Sequence, residues 1–309
     1  MKYPVLDGHC DTAVELWRKG ESLAKNSGQI SLAQAAEFPA YVQFFAFCTV
    51  WIKNAQTDEE RFASAMAYFS EQLREHNIPL CRTSADVSAI LQNGGVGAAL
   101  SIEGAEALDC DPGRLEKLAA QGVRMIAPVW NAENALAGSC MTGGGLTAQG
   151  REFVRRAQRA GILVDVSHSS ERTFWDICEI AEKPIVASHS NAKAVCGHVR
   201  NLTDEQFRAI CDLGGTAGLN LYAPFLNASG HASMDDVRRH LEHFLERDGD
   251  GHLALGGDLD GCDVLPDGMH GLRDYALLET NFENWGFGEQ IVRNLFYQSL
   301  EKVVKLCIM

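Results

Sequence analysis

The chain has 309 residues, 46% hydrophobic and 22% charged, an ordinary globular composition with ample length for a large core. Its 41 acidic and 27 basic residues leave a formal charge of −14 with no basic cluster, which argues against nucleic acid or an anionic membrane as partner. Ten scattered cysteines without a C-x-x-C read as reduced thiols of a cytoplasmic protein. An apolar strand within five residues of Met1 leaves no room for a signal peptide, and no apolar run approaches the ~18 residues of a membrane span.

Eight short apolar runs bounded by turn residues follow in chain order: Pro4–Asp11, Val42–Trp51, Val96–Glu103, Val123–Asn131, Ile162–His168, Ile185–Ser190, Thr216–Tyr222 and Leu253–Asp258. Most intervals between them are long enough for a helix. Thr57 and Glu60 form a capping box ahead of Phe62, Met66, Phe69 and Leu73 at helical spacing. Asp111-Pro112 opens a helix that Gly122 closes, and Gly161 ends the helix containing Phe153 and Ala157. Thr203 and Gln206 form another capping box, and Val237, Leu241 and Phe244 mark a helix after the seventh strand. Eight strand–helix repeats predict a (β/α)8 TIM-like barrel in one domain, residues 1–309, with an open doubly wound sheet as the alternative. An open sheet calls for a phosphate loop after the first strand, and no G-x-G-x-x-G or G-x-x-x-x-G-K follows Asp11. Gly143-Gly144-Gly145 reads as a flexible active-site loop, and the helix-poor stretch from Val264 to Gly288 as a lid or packing segment.

Polar residues gather at the strand ends. The first strand closes on Asp7-Gly8-His9-Cys10-Asp11, where alternation aims His9 and Asp11 at one point and Cys10 away from it. The third ends in Glu103, the fifth in His168, the sixth in His189 and the eighth in Asp258. In a parallel barrel these ends share the face that carries chemistry. Imidazoles and carboxylates converging there suit two metal ions ~3.5–4 Å apart. Singly, each has a plainer role. Glu103 could cap a helix, His168 and His189 could be hydrogen-bonded core residues, and Asp258 could sit in a turn. Asp165, in mid-strand, reads as a structural acceptor or a group that orients a ligand histidine. The remaining histidines lack strand-end placement; His240 and His243 fall on an apparently solvated helix.

Taken in order, Asp7-Gly8-His9-Cys10-Asp11, Ser101-Ile102-Glu103-Gly104, Asp165-Val166-Ser167-His168, Ser188-His189-Ser190, Arg200-Asn201-Leu202 and Gly256-Gly257-Asp258-Leu259-Asp260-Gly261 resemble the membrane (renal) dipeptidase family, in its bacterial type. That resemblance implies a zinc peptidase with Zn2+ at two positions per chain. His9 and Asp11 would bind one ion, His168 and His189 the other, and Glu103 would bridge them. A metal-bridging hydroxide would attack the amide, Asp258 would carry protons, and Arg200 would hold the terminal carboxylate of a small dipeptide, L-D dipeptides included. Trp130 stands where mammalian-type members carry a substrate-contacting histidine. Trp130 and Asn131 are therefore the candidates to contact substrate from the fourth strand. The other readings are a hydrolase of another small amide, such as a β-lactam or N-acyl amino acid, and a metal-retaining binding protein without turnover. A homodimer is compatible with either.

Overall fold

Parallel strands close into a barrel in the order β1 to β8. They are β1 Val5–Cys10, β2 Ala40–Phe47, β3 Gly95–Glu103, β4 Val123–Ala127, β5 Leu163–Asp165, β6 Ile185–Ala187, β7 Thr216–Leu219 and β8 Leu253–Leu255. The computed structural model describes residues 1–308. Each predicted apolar run contains a strand, but β4 to β8 stop three or four residues before the predicted ends. Their polar tails run on to the barrel mouth, and the one after β8 still pairs with β1 through Cys10 and Leu259.

Several helices start where side chains satisfy their first amides. Thr57 Oγ1 accepts from Glu60 N at 3.2 Å and Glu60 Oε2 from Thr57 N at 2.8 Å, opening Asp58–Glu75. Thr203 and Gln206 do the same for Asp204–Asp212. The segment after Asp111 begins as a 3-10 turn, Pro112–Arg114, continues as Leu115–Gln121 and stops at Gly122 with φ 105°. An unpredicted helix, Ser84–Asn93, starts from a box of Thr83 and Asp86. The stretch 264–288 is not helix-poor. It holds Tyr275–Asn284, whose Tyr275, Leu278 and Phe282 are buried, so it packs against the barrel. Among the described residues, no helix is long and apolar enough to cross a membrane.

The interior is layered. Leu6, Val42, Phe44, Met125, Leu163 and Val186 fill the lower barrel, closed from beneath by Leu300, Val303 and Val304 of helix Ser299–Cys307. Above them lies a layer of small groups. A Cβ added to Gly218 or Gly256 would fall 1.9 or 1.7 Å from the Ser188 carbonyl oxygen, and one on Gly8 would fall 3.3 Å from it. These glycines let the chain beyond β6 cross the barrel closely.

A bulge then sets the top layer. Pairing of β1 with β2 steps from Asp7↔Gln43 to Cys10↔Phe45, so three residues on β1 answer two on β2. Such an insertion reverses which side chains face inward. Leu6 belongs to the lower barrel core, whereas Val5 and Cys10 pack in the outer core. His9 therefore turns into the barrel.

His240 is buried rather than on a solvated face. Its Nδ1 accepts from Ala192 N at 3.1 Å and its Nε2 donates to Leu226 O at 3.0 Å, joining helix Met234–Leu245 to the segment after β6 and to the short helix Ala223–Leu226. His243 is half-buried against Asp204 at 2.7 Å.

Two outcomes follow for stability. Gly256→Ala forces a methyl into the Ser188 carbonyl and lowers stability by about 1–3 kcal/mol in urea unfolding. Gly197→Ala, where an added Cβ meets nothing within 4 Å, stays within about 0.5 kcal/mol. His240 is held down to about 4 because burial outweighs the hydrogen bond to Leu226. The unfolded histidine, near 6.5, takes the proton first, so this stability is present above pH ~6.5 and lost as pH falls toward 4. Between pH 7.5 and 5, wild type loses about 2 kcal/mol more than His240→Gln, read from urea midpoints.

Candidate active site

The site is built on the segments leaving the strand ends. Asp7 anchors the first. Its buried carboxylate accepts from His9 N at 2.9 Å, Gln43 Nε2 at 3.2 Å and the Tyr275 hydroxyl at 2.5 Å. Burial pushes Asp7 up, and these donors only partly oppose it. Asp11 is not extended. At φ −100°, ψ 6° it is the N-cap of helix Thr12–Lys19, yet its Oδ2 lies 3.4 Å from His9 Nε2. The expected convergence of His9 and Asp11 is met through a bulge and a helix cap instead of strand alternation.

Glu103, the last residue of β3, is the centre of the cluster. Its Oε1 lies 2.7 Å from His168 Nε2, 3.3 Å from His189 Nε2 and 3.8 Å from His9 Nε2. None of these approaches has hydrogen-bond alignment, so Glu103 Oε1 and His9 Nε2 are both buried without a partner. Asp258 Oδ1 reaches to 3.7 Å from His9 Nε2. His9, Glu103 and His189 form one compact donor group, and His9, Asp11 and Asp258 another.

Neighbouring groups select which imidazole nitrogen is free. Ser188 Oγ donates to Asp165 Oδ2 at 2.5 Å and therefore accepts from His189 Nδ1, 2.7 Å away. Asn131 Oδ1 lies 3.0 Å from His168 Nδ1 and is an acceptor. Both rings thus carry their proton on Nδ1 and turn Nε2 toward Glu103. Asp165 is the orienting carboxylate that its mid-strand place suggested. Burial pushes it up, but His189 and the Ser167 and Ser188 hydroxyls hold it below its ordinary value.

The electrostatics are those of a crowded anionic cluster. Burial opposes charge on His9, but Glu103, Asp11 and Asp258 raise it to about 10. Burial, with Glu103 and Asp258 nearby, raises Asp11 to about 7. Burial and then the Arg200 guanidinium press His168 down to about 4. Burial followed by His9 lowers His189. Glu103 stays well below its usual range because His168 and His9 outweigh its burial.

The residues fit divalent metal. Three imidazoles and three carboxylates point at one volume, two of their atoms are buried without partners, and the tautomers of His168 and His189 leave Nε2 free for coordination. Gly261 adds a cradle that a side chain would fill. A Cβ there would lie 2.3 Å from Asp11 Oδ2 and 2.6 Å from Asp258 Oδ1.

A cavity of about 690 Å3 opens above the cluster, a size suited to a small ligand. Trp130, Asn131, Arg200 and Asp258 all line it. The Trp130 ring is 6.1 Å from that of His168. Arg200 is buried, with its guanidinium 5.6 Å above the Phe225 ring. Its Nη1 contacts Ser167 O and its Nη2 donates to His168 Nε2 at 3.0 Å, so it meets the histidine as well as the cavity. The glycines at 143–145 do not line the cavity; Met141 of that loop does, while Gly145 O accepts from Gly138 N and Gly144 O from the Ser170 hydroxyl. The sequence reading passed over His198, Tyr222 and Phe225 in the wall and Asn220 behind Asp258. A histidine two residues before Arg200 was the one available signal; the aromatics follow β7 with no motif.

The sequence matches Membrane dipeptidase (Peptidase family M19) over residues 1–307. It is 34% identical over 250 residues to the "uncharacterized protein in pqqA 5′region" of Klebsiella pneumoniae, covering 76% of this chain and 92% of that one. The fold is similar to a Rhodobacter sphaeroides metallopeptidase liganded with a phosphinate mimic of the dipeptide L-Ala-D-Ala, with a TM-score of 0.89 and 27% identity over 99% of both chains. It is equally similar to the dipeptidase AC, a metallopeptidase of family M19, with a TM-score of 0.91 and 26% identity over 100% of this chain and 99% of that one. The chain belongs to Peptidase family M19, the membrane dipeptidases, and is a metal-dependent dipeptidase.

Proposed function

We propose that the protein is a binuclear zinc dipeptidase that cleaves short dipeptides with a free C-terminal carboxylate, L-D dipeptides among them. The observation that carries this reading is the convergence of three imidazole nitrogens on Glu103 Oε1, an oxygen with no hydrogen-bond donor of its own. His9 and Asp11 would hold one ion, His168 and His189 the other, and Glu103 both. When bound, such ions lower the pKa of a water toward neutrality and polarise the scissile carbonyl.

The chain's own groups supply the rest. Asp258 Oδ1 faces the cluster and takes the proton of the attacking water, then returns it to the leaving amine. Asn131 keeps His168 in the right tautomer and Trp130 walls the cavity. Arg200 pairs with the terminal carboxylate through a planar fork, which a lysine cannot offer. His168 Nε2 has one lone pair, so a cation held there would leave Arg200 Nη2 free for the substrate carboxylate. The L-Ala-D-Ala mimic bound by the Rhodobacter sphaeroides relative supports a substrate of this length and a D-residue at its second position.

Two experiments decide. Protein purified without chelator holds two zinc ions per chain by elemental analysis, and Glu103→Gln loses metal or lowers kcat by at least ~100-fold while circular dichroism stays unchanged. Saturation of activity at one ion per chain, or near-normal turnover of Glu103→Gln at saturating zinc, refutes the binuclear assignment. The second concerns substrate. Charge-assisted pairing contributes roughly 1.5–3 kcal/mol, so L-Ala-D-Ala is cleaved at least ~10-fold better than its C-terminal amide. Arg200→Met removes most of that preference through loss on the free acid. Equal kcat/KM on acid and amide for the wild type takes Arg200 out of the site and points to a broader amidase.

A further inference from the structure

We infer that Asn220 is a positioning residue for Asp258, and that a ladder of buried asparagines ties this carboxylate to the Arg200 loop. The inference rests on the proposed role of Asp258 as proton carrier.

Asn220 follows β7 directly and is fully buried. Its Nδ2 donates to Asp258 Oδ2 at 3.0 Å and to His189 O at 3.3 Å, while its Oδ1 accepts from Tyr222 N at 2.6 Å. Its backbone is clasped by Asn191, whose Oδ1 accepts from Asn220 N at 3.0 Å and whose Nδ2 donates to Asn220 O at 2.9 Å. Asn191 N in turn donates to Asn201 Oδ1 at 3.3 Å. Asn201 Nδ2 donates to Cys196 O and Phe225 O, both at 2.8 Å. Asn201 is the residue after Arg200, and Phe225 is the ring beneath the Arg200 guanidinium. The side-chain amide groups of all three asparagines are therefore spent on one path from the Asp258 carboxylate to the Arg200 loop.

The path has a chemical consequence. Asp258 sits at φ 57°, in the left-handed region, where its backbone alone does not settle the carboxylate. The nearby Cys262 thiol is a weak donor and lies 4.0 Å from Asn220 Oδ1, so it does not fix the Asp258 carboxylate. With Oδ2 bound to Asn220, only Oδ1 faces the His9–Asp11 cluster, at 3.7 Å from His9 Nε2. A proton carrier needs one oxygen aimed at the reacting water and a fixed distance to the substrate. The same amide also holds the His189 backbone, so the two sides of the cluster stay in register.

The test uses the zinc-loaded protein and L-Ala-D-Ala. Asn220→Asp keeps the shape and the acceptor for Tyr222 N but removes the donor to Asp258. It should lower kcat at least ~10-fold, leave KM within threefold, and retain the wild-type zinc content. In an Asp258→Asn background it should cause no further loss, because the group it positions is already gone. If Asn220→Asp does not fold, Asn220→Ser is read in the same way. Any of these results overturns the proposal: kcat within threefold of wild type, an equal loss in the Asp258→Asn background, a rise in KM alone, or loss of zinc in step with activity. Failure of both variants to fold assigns Asn220 to the scaffold and likewise overturns it. Near-normal turnover by Asp258→Asn sinks the proton-carrier role and this proposal together. A crippled Asp258→Asn beside an unaffected Asn220→Asp sinks this proposal alone.

Discussion

One carboxylate oxygen governs the upper half of this barrel. Glu103 Oε1 is buried, receives no aligned donor, and has three imidazole nitrogens within 3.8 Å. An unpaired buried anion is among the most costly features a fold can carry. The chain could have answered it with an aligned arginine or a backbone amide. It brings ring nitrogens whose lone pairs face the same point, together with two further carboxylates. Such an arrangement concentrates negative charge and electron pairs where a folded protein ordinarily disperses them. A bound cation would neutralise that charge, which is why the donor set speaks more strongly than any single residue in it.

The surrounding groups make sense as constraints on that point. A histidine offers its Nε2 only if its proton is kept on Nδ1, and each ring on the far side of Glu103 has an acceptor placed for this purpose. Asp165 acts through Ser188 on His189, and Asn131 acts directly on His168. Asp7 does comparable work on the backbone of His9. None of these groups has to touch substrate. Their effect is to remove alternatives, so that the clustered side chains are preorganised before anything binds.

Much of this was legible in the sequence because two independent patterns coincide. Apolar runs separated by capped helices give the parallel barrel, and the barrel places strand ends on one face. His9, Glu103, His168, His189 and Asp258 could therefore be gathered without coordinates. The alternation rule predicted that His9 and Asp11 converge, but the bulge between Asp7 and Cys10 and the helix cap at Asp11 achieve it. Alternation carries no information about an inserted residue. Asn220 and Asn191 were invisible for a different reason. An asparagine after a strand reads as a turn residue, and only three-dimensional burial turns its amide into a network. His240 failed similarly: its place beside Glu242 suggested solvent, whereas its contacts, Ala192 N and Leu226 O, lie outside its own helix. The helix Tyr275–Asn284 escaped because Gly268 and Gly271 just ahead of it and Asn281 and Asn284 within it read as turn residues, while its buried Tyr275 is held by a single distant carboxylate.

The layering of the interior explains how a barrel tolerates such a site. Polar and charged groups at the top need room, and the chain past β6 must cross closely enough to bring His189 to Glu103. Large side chains on β1, on β7 and just past β8 at that level would forbid it, so Gly8, Gly218 and Gly256 stand there. Each glycine weakens its strand by roughly 0.5–1 kcal/mol through lost packing and added chain freedom. The loss is localised in the one layer where close approach is required. Directly beneath, the interior returns to large apolar side chains, and Leu300, Val303 and Val304 seal it from below. Burial of such side chains contributes about 1.5–3 kcal/mol each, enough to offset the glycine layer. The fold thus separates its tasks by height: cohesion at the floor, close backbone approach in the middle, and at the mouth a charge arrangement that only a rigid support can hold in place.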